Sequence, residues 1–147
     1  MSANEKQVAG NHYKTGKMQH WDFVHACWLD YFLGCSTKYL SRWWLKGTPL
    51  QDIEKSRHFL EKWLELGKQH CTSYPNQDEV HRELDLWCQH LSKSMYVAGV
   101  PLEAQAHTLR IMKQVFTSQP SPVLLEHYDY LLEYARKWQQ EVTEQAR

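Results

Sequence analysis

At 147 residues the chain is one domain's worth of sequence, long enough to bury a core. Its 17 basic residues balance 17 acidic ones, so no global field draws it to nucleic acid or membrane, and any anion site has to be a local cluster. There is no apolar run of spanning length and no secretory signal pattern, and the four cysteines lack CxxC spacing. Reduced thiols in a cytoplasmic protein are the expectation.

The first stretch with a chemical look is GNHYKTGK, Gly10 to Lys17. A Walker loop has four residues between its glycines and a hydroxyl residue after the lysine. Here five intervene, Met18 stands in the hydroxyl position, and MSANEKQVA supplies no strand before it. The stretch is therefore read as part of an irregular N-terminal arm over residues 1–19.

Beyond the arm the punctuation is clear and the segments are helical. A short helix is predicted from Trp21 to about Trp28, with Phe23, Val24 and Cys27 on one face. A second is predicted from Leu33 or Gly34 to Lys46, stopped by Gly47. Thr48 is placed to cap a third, with Pro49 in its first turn, Gln51 completing a capping box, and Ile53, Leu60, Trp63 and Leu64 facing inwards. CTSYPN, Cys71 to Asn76, breaks the chain.

A fourth helix carries Val80, Leu84, Trp87, Cys88, Leu91 and Met95 at helical period, up to Gly99. Pro101 opens a fifth with Leu102, Leu109, Met112 and Phe116. After SQPSP the last runs from Val123 to about Thr143, burying Leu124, Leu131, Ala135, Trp138 and Val142. The predicted fold is all-α: a single domain forming a compact bundle of five to six helices with short loops.

The chemistry-bearing pattern lies in GCSTKYLSRWWLKG. Lys38, Arg42 and Lys46 fall four apart, which on a continuous helix makes one cationic stripe, flanked by Tyr39, Trp43 and Trp44. Cations with neighbouring aromatics suit a nucleotide, the cations meeting phosphate and a ring stacking on the base. Lys14 and Lys17 would join if the arm folds over this helix, and Lys55 and Arg57 could add to it. The alternative is a solvated face paired with Asp52, Glu54 and Glu61, which contributes little to stability.

Other fragments are weaker. Glu54, His58, Glu61 and Glu65 share a helix face, but paired E-x-x-E motifs are absent except for Glu141 to Glu144. Cys88-Gln89-His90 and His70-Cys71 do not complete a metal-ligand set.

Taken together, HYKTGKMQHWDF and YFLGCSTKYLSRWWLKGTPLQDIEKSRHFLEKWLE resemble a small family of bacteriophage and prophage proteins. The resemblance rests on His12, Tyr13, Lys14, Trp21, Asp22, Gly34, Lys38, Tyr39, Arg42, Lys46, Gly47, Asp52 and Lys55, and covers roughly residues 11–65. The family's Tyr-Leu-Glu appears here as Phe59-Leu60-Glu61, and the helices from Asn76 onward have no counterpart in it.

The family includes a deoxynucleoside monophosphate kinase that lacks a Walker loop and works as a large oligomer. The resemblance thus implies a nucleotide ligand, ATP and magnesium as co-substrate if phosphoryl transfer occurs, homo-oligomerisation, and a place in the host cytoplasm. On that reading Lys14, Lys38, Arg42 and Lys46 bind phosphate, Tyr13, Tyr39 or Trp43 stack on the base, and His12 or Asp22 positions the acceptor or carries a proton. A non-enzymatic alternative is a counter-defence protein that sequesters a nucleotide signal or masks a host protein. A third possibility is that the polar string is structural, with Asp22 capping the first helix.

Overall fold

The computed structural model describes residues 18–67, 77–115 and 122–145, apart from the side chains of Gln77 and Val142. Among the described residues six helices follow in order: α1 (His20–Ala26), α2 (Tyr31–Leu40), α3 (Pro49–Glu65), α4 (Gln77–Val97), α5 (Leu102–Gln114) and α6 (Leu124–Gln145). No strand is present among the described residues, in agreement with the all-α expectation. The arm residues His12, Tyr13 and Lys14, the break CTSYPN, and residues 118–121 of the break SQPSP lie outside the described residues.

A capping box starts α1. The Asp22 carboxylate accepts from the Gln19 N–H at 2.9 Å, and the Gln19 side chain accepts from the Asp22 N–H in return. The helix ends in a Schellman turn, with Trp28 N–H donating to the His25 carbonyl and Leu29 N–H to that of Val24. Such a turn needs a left-handed residue, usually glycine; here it is Trp28, at φ 57°. The Asp30 carboxylate then caps α2 by accepting from the Leu33 N–H at 2.9 Å.

The expected run of α2 to Lys46 is corrected. The helix stops at Leu40, and residues 41–45 are tight turns in which Arg42 N–H donates to Tyr39 and Leu45 N–H to Arg42. Two adjacent indoles account for the change. Trp43 and Trp44 are both buried, yet they bond different neighbours: Trp43 Nε1 donates to Thr108 on α5 at 3.3 Å, and Trp44 Nε1 to Ser94 on α4 at 3.0 Å.

Two other expectations also change. No side-chain bond caps the α3 backbone and Gln51 is exposed, so no capping box forms; the Thr48 hydroxyl bonds the Asp52 carboxylate instead. Leu102, one of the apolar residues placed on the fifth helix, is 78% exposed.

One apolar cluster runs from Phe23 to Ala135 and draws on every helix. α2 packs along α3, α6 covers α3 and α5, and α4 lies against α1 and α5. A buried polar knot joins three helices. Ser56 Oγ donates to the Ser36 carbonyl at 2.8 Å, Ser36 Oγ to that of Ser56 at 2.9 Å, and the Tyr128 hydroxyl meets Ser56 Oγ at 2.7 Å.

Candidate functional site

Tyr39, near the end of α2, is a platform for cations. Lys38 Nζ, Arg42 Cζ and Lys55 Nζ stand 5.4, 4.7 and 5.3 Å from its ring centroid. Phe59 stacks parallel to the same ring at 6.1 Å, fixing its orientation from α3. The Lys38 ammonium is held below its ordinary pKa by burial and then by Arg42, with Lys46 and Lys55 adding in the same direction. Of the sequence-predicted cations, Lys38 and Arg42 meet at the Tyr39 ring together with Lys55, while Lys46 acts on Lys38 through its charge from an exposed turn rather than from a helix.

Asp52 sits within this field. It is 3% exposed, and its Oδ2 has no hydrogen-bond partner among the described residues. Burial raises its pKa; Arg42, Lys46, Lys55 and the Thr48 hydroxyl pull the other way without reversing the shift.

On the other side of Lys38 and Arg42 a groove of about 520 Å³ opens between the start of α1, the turn after α2, and α4. Lys38, Arg42 and Lys93 supply its cations, and Leu45 and Val97 its apolar edge. Its aromatic wall is a stack in which Trp87 lies between Phe23 (centroids 5.5 Å, planes 12° apart) and His90 (5.1 Å, 21°). Trp87 Nε1 donates to Ser41 Oγ at 3.2 Å, so the turn after α2 and α4 are joined by two indole–serine bonds running in opposite directions.

His20 closes the inner end, with Nε2 2.8 Å from Thr37 Oγ1. Burial, reinforced by Lys38 and Arg42, lowers its pKa to about 3, so the imidazole is neutral at physiological pH. His90 is shifted downwards too, by burial and then by Lys93.

Of the residues read from the sequence, Lys38 and Arg42 line the groove, Tyr39 and Lys55 form the cluster behind it, and Lys46 lies on an exposed turn whose charge is felt by Lys38. Trp43 is a correction: its ring is wholly buried against Trp44, Tyr134 and Trp138, leaving no face for a base to stack on. Asp22 does not line the groove, and its carboxylate holds the start of α1. Arg57 is drawn away by Glu61 at 3.0 Å and by Asp129. The Glu54, His58, Glu61 and Glu65 face forms no metal cluster; none of three or more ligands occurs among the described residues.

Sequence reasoning missed His20, Trp87, His90 and Lys93. For α4 a signal existed: His90, Lys93 and Val97 are spaced by three and four, a stripe beside the core-facing one. For His20 there was none, since its role depends on Thr37, seventeen positions away.

The fold and groove together define a small all-α domain with a basic, aromatic-walled cleft. Comparison of the chain with protein-family models, with curated proteins and with solved structures finds no match.

Proposed function

We propose that this chain binds a phosphorylated small molecule, a nucleotide above all, in the groove between α1, α2 and α4. One observation carries the reading: Lys38 of α2, Arg42 of the turn after it and Lys93 of α4 surround a cleft of about 520 Å³ whose walls are aromatic and apolar. Cations in a cleft partly closed to water meet phosphate oxygens more strongly than the same cations on an open surface. The volume falls in the range of small-ligand sites, and groups with displaced pKa values mark such sites.

Melting of the full chain with deoxynucleoside mono-, di- and triphosphates and with cyclic nucleotides tests this. A ligand that prefers the folded state raises the melting temperature. Arg42→Ala should weaken the best ligand at least tenfold, the loss of about one charge-assisted hydrogen bond, with helicity unchanged. Absence of stabilisation by every nucleotide overturns the reading.

The resemblance to the phage family adds phosphoryl transfer to this binding, with ATP and magnesium as co-substrate and Lys14 as a further phosphate ligand. Sequestration of a nucleotide signal, as a counter-defence device in the host cytoplasm, is the non-enzymatic form of the same chemistry. Turnover of a bound monophosphate in an ATP-coupled assay favours transfer; tight binding without turnover favours sequestration. The exposed Tyr96, Val97 and Leu102 at the α4–α5 turn support contact with a further protein surface, either another copy of the chain or a host factor.

A further inference from the structure

Thr37 fixes the tautomer of the ring beside it. Its hydroxyl has one proton, and the Leu33 carbonyl at 2.7 Å receives it, with the Gly34 carbonyl farther off at 3.4 Å. The 2.8 Å contact between Thr37 Oγ1 and His20 Nε2 therefore requires the ring nitrogen to donate. A neutral imidazole with its proton on Nε2 has a bare lone pair on Nδ1. Phe23 and Trp87 hold the ring, with centroids 6.2 and 5.9 Å away. Among the described residues Nδ1 accepts no hydrogen bond, nor is it one of the sealed polar atoms, and the ring forms part of the groove wall.

We propose that His20 Nδ1 reads a hydrogen-bond donor on the organic part of the ligand whose phosphate meets Lys38 and Arg42. The cleft then selects a phosphorylated compound bearing an N–H or O–H on its base or sugar over inorganic phosphate or pyrophosphate. Lysine and arginine can only donate, so they recognise the anionic end and are blind to the donors at the other end. A neutral ring buried beside two cations supplies the complementary acceptor, and it adds no positive charge of its own. This inference rests on the reading of the groove as a phosphate site.

Two substitutions separate reading the ligand from holding the fold. His20→Gln places an amide N–H where Nε2–H stands, keeps the bond to Thr37, and removes the Nδ1 acceptor. His20→Asn places a carbonyl oxygen where Nδ1 stands and gives up the Thr37 bond. The measurement is calorimetric titration of the full chain with inorganic pyrophosphate and with the four deoxynucleoside 5′-monophosphates.

The expected result is that His20→Gln binds the preferred monophosphate about tenfold more weakly, the worth of one hydrogen bond, while its affinity for pyrophosphate is unchanged. His20→Asn should retain the wild-type preference. The opposite pattern, with Gln tolerated and Asn damaging, shows a structural histidine and overturns the inference. Equal binding of pyrophosphate and monophosphates by the wild type also overturns it while leaving the phosphate site standing. Failure of the wild type to bind any of these anions removes the phosphate site, and the inference with it.

Discussion

A histidine kept neutral by its surroundings has a cost that appears in acid. The unfolded chain offers His20 a pKa near the ordinary 6.5, whereas the folded groove lowers it to about 3. Between these values the unfolded state binds a proton that the native state refuses. The stability contributed by this residue is therefore present above about pH 6.5 and is lost as pH falls towards 3. Chemical denaturation at pH 7.5 and pH 4.5 checks this: wild type should lose more stability on acidification than His20→Gln, which has no ring to protonate. Trp43 teaches the opposite lesson. Its position beside a basic stripe marked it as a stacking ring, but its burial marks it as core, and large apolar side chains at helical spacing fill interiors before they serve ligands.

Among the elements, α1 and α2 are short and depend on their caps. Asp30→Ala should cost about 1 kcal/mol of unfolding free energy in urea, the usual worth of an N-cap. Asp22 can be tested more sharply. Asp22→Asn keeps an oxygen able to accept from the Gln19 N–H, so stability and nucleotide affinity should stay close to wild type; a large fall in turnover or binding would show that the carboxylate does more than start a helix.

The elements also show where the sequence was legible. The number, order and inner faces of the helices follow from periodicity and from Pro and Gly at their ends, because those signals are local. The early end of α2 does not, because it is decided by Trp43 reaching Thr108 and Trp44 reaching Ser94, partners that appear only once α4 and α5 are in place. Half the groove was hidden for the same reason: Lys38 and Arg42 announced themselves by spacing, whereas Lys93 joins them from a helix about fifty residues on.

For the whole molecule, the buried knot of Ser36, Ser56 and Tyr128 matters most. It ties α2 and α3 to α6 across 92 positions, within a region otherwise apolar. Tyr128→Phe removes the hydroxyl and leaves the ring, so it should cost about 1–2 kcal/mol in a denaturant melt without changing the cooperativity of the transition. A drop in the slope of that transition would instead mean that α6 unfolds separately from the rest. Because both serines retain a carbonyl to donate to, the loss should remain moderate.

The paired indole–serine bonds across the groove bear on inheritance. Trp44 leans on Ser94 of α4, and Trp87 of α4 leans on Ser41, so each side of the cleft holds a donor satisfied by the other. A lineage that loses either serine alone strands a buried N–H at a cost of about 1–3 kcal/mol, whereas replacing indole and serine together by apolar groups of matching shape is nearly neutral. Descendants of this sequence should therefore change these four positions two at a time, 44 with 94 and 41 with 87. That pattern of paired drift would mark the cleft in any relative, whatever its loops or its outward charges have become.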